Sequence, residues 1–544
     1  MFNVVICVLA LLSVCKGQSL LFNKWVPYTT ELTIPKVIDM RNGGSLKMDM
    51  GASEHYWGAG LQQKGTIYGY AKKGKKPTYP GPTILVKRGV PINITWYNNL
   101  NGSHILDNFV APELLSEKVR CYPDCGVPTI VHVHGMETAA VYDGLPIYST
   151  LYGQTKTDVF THNQIPSTMI YHDHAMGFTR LNAWAGMVGA YIMEDEHEKK
   201  LGVSPSCDIP LILQDKLILD NGSLTYVDSP CKLQNTKWAP EGYGNVNTVN
   251  GVVMPFVKLP NTKCRLRLIN AANARTYSLD IPFHQSCKII AKDSGLVRTP
   301  VQLDGTPLVI YPFERVELLC DFSKYSTTPR KMFPSTSFNI IDLSNEELPE
   351  GAPVLQVRVV KAKDTEWEVS DDKPLASSLN KYKDLKQLWK ITNGTTRDIT
   401  LNEIVDAEDC PVMLTVSENG AVKSFMKGEV IQCQKGRVEK WQFHNPTADF
   451  HPFHWHVVHF QCGADDDNIN TNELKDVFPI PNSEGNPEDV TQVCYVACTP
   501  SDFLLEESKT RSTDFGFSTK DPYLVHCHIL EHEENEMMTW FQIA

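Results

Sequence analysis

The chain has 544 residues, of which 42% are hydrophobic and 21% charged, a composition that excludes a disordered protein. At roughly 150 residues per domain, the length calls for three or four domains. Lys and Arg number 51 against 63 Asp and Glu, a formal charge of −12. That balance excludes a nucleic-acid partner, whose phosphates need a basic face.

The chain opens on its one long apolar run, Val4 to Leu12, followed by Ser13, Lys16 and Gly17. The run is too short to cross a bilayer and has the form of a secretory signal peptide, 1–17, cleaved near Gly17. The mature protein is therefore expected to be secreted, with no membrane insertion. Sequons at Asn93, Asn101, Asn221 and Asn393 agree with export and predict a glycoprotein. Of 15 cysteines, Cys7 and Cys15 fall in the leader, which leaves 13. An odd count in an exported chain predicts one thiol with a separate task and up to six disulfide bonds. Cys121/Cys125 and Cys494/Cys498 are spaced as local staples.

From residue 18 onward, short β-branched runs alternate with Gly, Pro and Asn. Ile92-Asn93-Ile94-Thr95-Trp96, Arg265 to Ile269 and Val354 to Val359 alternate sides as half-buried strands do. Long amphipathic helical patterns are scarce, so the chain is predicted to be all-β, with sandwiches or barrels in series. Charged 194–200 and polar 361–374 divide it into 18–203, 204–368 and 369–544. The acidic stretch 464–486 is expected to be a surface excursion of the third unit.

Ten of the 17 histidines fall in four clusters: His132-Val133-His134, His172-Asp173-His174, His451-Pro452-Phe453-His454-Trp455-His456 and His526-Cys527-His528 with His532. Residues i and i+2 of a strand share a face, so each His-x-His aims two imidazoles at one point. Four pairs can enclose a compact metal cluster. Cys527 faces the opposite way, so one strand serves two metal sites joined by a few covalent bonds. With His451, His532 and Met537, Cys527 completes two imidazoles, a thiolate and a weak thioether, the ligand set of a blue-copper electron-transfer site. Zinc would take four tight ligands and has no use for the methionine. The other histidines, His55, His104, His162, His197, His284, His444 and His459, are expected to be ordinary surface or core residues.

These motifs resemble those of the multicopper oxidases over nearly the whole mature chain, most closely the bilirubin oxidase and spore-coat laccase branch. Tyr79-Pro80-Gly81-Pro82-Thr83, Tyr171 to Met176, Thr179-Arg180-Leu181-Asn182, Val249-Asn250-Gly251, Arg267 to Ala271, Pro446-Thr447 and His526 to Glu533 carry the resemblance. It implies three cupredoxin-like Greek-key β-sandwich domains and four copper ions. His451, Cys527, His532 and Met537 would hold type-1 copper, and His132 and His454 type-2 copper. His134, His172 and His528 would hold one type-3 copper, with His174, His456 and His526 on the other. The trinuclear cluster would lie between the first and third domains, and the middle domain would be a spacer. Asp143 and Glu533 match acids that the family uses to supply protons for O2 reduction, while Asp173 would orient its histidine neighbours.

The expectation is a monomeric secreted oxidase with a small-molecule reductant and O2 as its partners. It would couple one-electron oxidation of phenols, aromatic amines or tetrapyrrole-like pigments to reduction of O2 to water. The first alternative is a metallo-oxidase acting on ferrous or cuprous ions, which needs acids beside His451 or His532; Glu533 and Asp465-Asp466-Asp467 are the candidates. Scattered methionines disfavour the cuprous form, and the intact ligand set disfavours a non-catalytic copper carrier.

Overall fold

The computed structural model describes residues 25–544 except 197, 204–206, 234–235, 326–335, 362–374, 408–409, 484 and 487. The signal peptide, His197 and the expected breaks at 203/204 and 368/369 involve residues outside the described ones.

Strands dominate, and six large sheets fall into three successive pairs along the chain. The first pair lies within 37–194. A five-stranded sheet orders Val37–Asp39, Thr83–Lys87, Val188–Glu194, Thr168–Asp173 and Val131–His134, facing a four-stranded sheet that includes Gly44–Tyr56 and Ile92–Asn98. The second pair lies within 208–360. The third lies within 396–543 and includes a five-stranded sheet of Val430–Cys433, Met538–Ile543, Tyr523–Cys527, His451–Trp455 and Val477–Ile480. Consecutive strands pair as hairpins in places, such as Gly44–Tyr56 with Lys64–Lys72, but other neighbours are distant in sequence and some pair in parallel, such as Thr83–Lys87 with Val188–Glu194. The chain therefore crosses between sheets as cupredoxin-like sandwiches do.

Two kinds of strand result. Ile92–Asn98 buries Ile92, Ile94 and Trp96 and turns Asn93 outward, because one of its faces meets water. Thr168–Asp173, His451–Trp455 and Tyr523–Cys527 are buried at every residue. These three run through the interior and carry five of the twelve candidate ligands, and His174, His456 and His528 follow directly on their ends. The three main cores pack around Trp57, Trp96 and Trp184, around Leu211, Leu266 and Val316, and around Trp441 and Trp455.

Six disulfides form among the described residues, and Cys527 is the free cysteine there. Cys121–Cys125 is a local staple. Cys494–Cys498 is not, because four residues of extended chain put their Cα atoms about 13 Å apart. Cys494 instead bonds its cross-strand neighbour Cys462, and Cys498 bonds Cys433. The four sequon asparagines are exposed.

The acidic stretch departs from expectation. Ala464 to Asp467 is largely at the surface, but Leu474 to Val477 is buried, and Val477–Ile480 pairs with His451–Trp455 as a sheet edge. Apolar Leu474 and Val477 turn the chain inward and take Lys475 and Asp476 with them.

Candidate metal centre

Two antiparallel strand pairs build the centre. Val131–His134 pairs with Thr168–Asp173 so that His132 lies opposite His172. His451–Trp455 pairs with Tyr523–Cys527 so that His454 lies opposite His526. The two sheets face each other across stacked imidazoles, with ring centroids 4.0 Å apart for His132 and His456 and 3.7 Å for His134 and His454. Three triads of donor atoms converge within 4.8 Å: His132, His134 and His454; His134, His172 and His528; His174, His456 and His526. All eight histidines are at most 1% exposed.

The outer hydrogen bonds fix the tautomers. Nδ1 of His132 donates to the Asp143 carbonyl at 2.6 Å, that of His454 to the Asp476 carbonyl at 2.7 Å and that of His172 to the Asp173 carbonyl at 2.8 Å. Carbonyls only accept, so Nε2 of each ring is a bare lone pair, and each is buried without a partner. His456 Nδ1 donates to Asp143 Oδ2 at 2.7 Å and His526 Nδ1 to the Cys527 carbonyl at 2.9 Å. Their Nε2 lone pairs then face each other at 3.2 Å. Two acceptors so close repel unless a cation lies between them, so this donor set fits a metal. Burial, reinforced by neighbouring histidines, holds His134, His174, His454, His456 and His528 well below the usual histidine range. Burial holds His526 at about 3. Neutral rings keep the lone pairs free for metal.

Cys527 leaves the same strand on the other face, as i and i±1 residues must. Its Sγ lies 3.6 Å from His451 Nδ1 and 3.7 Å from His532 Nδ1. Outer partners again fix the rings. The Thr447 hydroxyl donates to Asn445 and so accepts from His451 Nε2 at 2.7 Å, while Glu241 accepts from His532 Nε2 at 3.0 Å. Both Nδ1 lone pairs therefore point at the sulfur. Burial pushes the Cys527 thiol up, against the pull of His532, so a bound cation is what would hold it as thiolate. The Met537 side chain is fully buried, and its backbone bonds to both Cys527 and His532.

Both candidate acids reach the histidine cluster. Asp143 is 1% exposed and bonds His456. Glu533 lies 3.4 Å from His174 Nδ1 and 3.3 Å from His526 Nδ1. Burial raises both carboxyls, with Glu534 adding to the rise at Glu533, which keeps protons available to the cluster. The run around Glu533 is not surface charge: Glu531 and Glu534 are also buried, on Tyr226 with Asn273 and on Arg180. The Asp173 carboxylate accepts from the Ile130 and Ala175 amides and the Asn182 side chain, so it holds the chain around His172 and His174 and not their rings.

Several functional residues escape sequence reasoning, and they show that the middle unit is more than a spacer. Its Phe313 stacks on His528 at 3.8 Å from a left-handed backbone position, φ +62°, a strain of about 1–3 kcal/mol that the fold sustains. Its Arg315 grips Asp476 at 2.6 and 2.5 Å, and Asp476 Oδ1 accepts from His134 Nε2 at 3.1 Å. Its Glu241 holds His532. Neither Pro240-Glu241-Gly242 nor Phe313-Glu314-Arg315 carries a recognisable motif. The acids expected beside the thiolate site lie elsewhere: Glu533 faces the histidine cluster, and Asp466 pairs with Lys440.

The multicopper oxidase family profile matches residues 119–198 and 384–544. A laccase of Bacillus subtilis (strain 168) is 31% identical over 488 residues, covering 86% of this chain and 88% of the relative. The chain belongs to the multicopper oxidase family. It is an oxidoreductase that uses O2, and copper is its cofactor. This multicopper oxidase is also 28% identical to the LPR1 homolog 5 multicopper oxidase of Oryza sativa subsp. japonica, covering 95% of this chain and 85% of that one. A variant of the McoA multicopper oxidase from Aquifex aeolicus shares the fold, with TM-score 0.70, 21% identity and coverage of 94% and 99%.

Proposed function

We propose that this enzyme is a secreted laccase-like oxidase that takes single electrons from phenols, aromatic amines or tetrapyrrole-like pigments and reduces O2 to water. In this reading the Cys527 triad with Met537 is the type-1 position, and His132 with His454 the type-2 position. The two remaining histidine triads are the type-3 positions, four coppers in all. Held by Cys527, His451 and His532 and by the eight clustered histidines, copper would supply one-electron redox chemistry at the first position and oxygen-reducing capacity at the second. Oxidised cysteines and exposed sequons support passage through an oxidising compartment, with a leader at 1–17.

The observation that carries the substrate reading is a cavity of about 290 Å³ beside the thiolate site, lined by Glu241, Tyr243, Tyr311, Phe450 and Ile529. A phenol loses a proton with its electron. Glu241 accepts such a proton one hydrogen bond from His532, while Tyr311 and Phe450, with ring centroids 6.1 Å apart, offer aromatic surface to a substrate ring. Asp143 and Glu533 hold protons for O2 at the histidine cluster.

A second reading, oxidation of ferrous or cuprous ions, is favoured by one feature. Asp449 lines the same cavity, and burial raises its carboxyl, with Glu241 adding to the rise. Oxygen uptake by the copper-loaded protein with catechol, an aromatic diamine, bilirubin, ferrous ion and cuprous ion separates the two. Fast uptake with the organic donors and none with the metal ions supports the laccase reading. Uptake with metal ions alone, lost in Glu241→Gln, replaces it with the second.

A further inference from the structure

A cavity of about 530 Å³ lies at the edge of the first unit, where Asn250 of the middle unit reaches it, and is lined by none of the candidate ligands. Its first wall is Thr33 to Lys36, which crosses between the units: the Leu32 amide donates to the Phe256 carbonyl, and the Lys36 carbonyl accepts from the Thr83 amide. The end of strand Lys64–Lys72 with the turn beyond it forms the second wall. Pro80, Pro82 and Asn250 close the third. Ile34, Pro35 and Ile38 add to the apolar surface, and Val37 at the mouth is 58% exposed. Size, apolar lining and position at a junction between units are those of small-molecule sites.

The polar groups around it share one sign. Lys36, Lys72, Lys75 and Lys76 all line the cavity and are exposed. Neighbouring Lys73 pairs with Asp49 at 3.1 Å, but among the described residues no carboxylate lies within ion-pair distance of those four. Four unpaired ammonium groups on a chain of net charge −12 make a local field of opposite sign to the rest of the surface, and such a field concentrates anions. An inorganic anion would leave the apolar walls unused, and an acidic peptide would reach the lysines without filling the space behind them.

We propose that this cavity binds a small anionic aromatic molecule, a carboxylate or sulfonate, with its ring against Ile34, Ile38 and Pro80 and its anionic group among the lysines. The site is separate from the donor cavity beside His532 and shares no residue with it.

The test uses the copper-loaded full-length protein and naphthalene-2-sulfonate, an aromatic anion with no oxidisable amine or phenol, followed by its fluorescence. Saturable binding of one equivalent is expected. Replacing Lys72, Lys75 and Lys76 together by Gln should weaken it about tenfold or more, and added salt should weaken wild-type binding in the same direction. Ile38→Trp, which fills the cavity and keeps the lysines, should abolish it. Naphthoate should displace the probe, and phenol oxidation by the lysine variant should stay at the wild-type rate. Equal binding to wild type and both variants would overturn the proposal, as would displacement by a polyglutamate peptide but not by naphthoate.

Discussion

Replacing Asp476 by Asn tests whether the middle unit positions the histidine cluster. Asp476 and Arg315 are each 1% exposed and joined by two contacts, at 2.6 and 2.5 Å. Removing the carboxylate charge leaves Arg315 with Asp293 at 3.6 Å as its nearest remaining acid. Breaking a buried ion pair costs about 3–5 kcal/mol, and Asn keeps one acceptor oxygen, so about 3 kcal/mol is expected. For unfolding of the third unit, which is in the size range where 1 kcal/mol shifts melting by roughly 2–4 °C, the transition should fall by about 6–12 °C. His134 also loses its charged acceptor, and such losses lower metal affinity about 10–100-fold. The thiolate site has its own ring partners, Thr447 and Glu241, and should keep its visible absorption. Thermal unfolding and copper retained against graded chelator measure the two effects. The double variant Arg315→Met with Asp476→Leu separates them: with both charges gone much of the stability returns, but His134 still lacks its acceptor, so copper retention should stay low. Wild-type melting and copper retention in Asp476→Asn would show that this network does not hold His134.

The candidate ligands were legible because a strand imposes a period of two. His-x-His means one face, and the intervening Cys527 means the other, before any tertiary structure is known. His451 and His454, three apart, follow the same parity and serve different sites. What supports the ligands was not legible, because it depends on which distant chain segment arrives behind each ring. Asp476 sits in a stretch whose acidic composition points to solvent, and only the buried Leu474 and Val477 beside it hint otherwise. Glu241 and Arg315 come from a unit without a ligand cluster, so neither spacing nor composition singles them out. Cysteine parity gave Cys527 as the odd thiol, but pairing by nearness in sequence failed at Cys494 and Cys498, where the strand keeps them too far apart. The unexceptional reading of the other histidines holds for His104 and His162, both buried and hydrogen-bonded. His459 is more than filler: it joins Ser294 and Glu137, residues of the middle and first units.

Cys527→Ser should abolish the intense visible band, since that absorption arises from thiolate on Cu(II), while leaving copper in the histidine cluster; persistence of the band would refute the thiolate assignment. Burial holds His104 at about 3, below the ordinary 6.5, so the stability it contributes is present above pH 6.5 and lost as pH falls from there toward 3. The slope is at most about 1.4 kcal/mol per pH unit. In urea unfolding, the stability gap between wild type and His104→Gln should therefore narrow from pH 7 to pH 5, and a constant gap would refute the assignment. Asp143→Asn preserves size and one acceptor for His456 but removes the carboxyl that carries a proton. Donor should bleach the blue band anaerobically at the wild-type rate, because the Cys527 site is untouched, and reoxidation by O2 should slow about 100-fold. Asp143 also ends the short 3-10 turn Ala140–Tyr142 and accepts from His132 through its backbone carbonyl, a contact that Asn retains. If reoxidation is unimpaired in the variant, the hydrogen bonds that position His132 and His456 are the whole of its contribution, and Glu533 alone must serve the cluster.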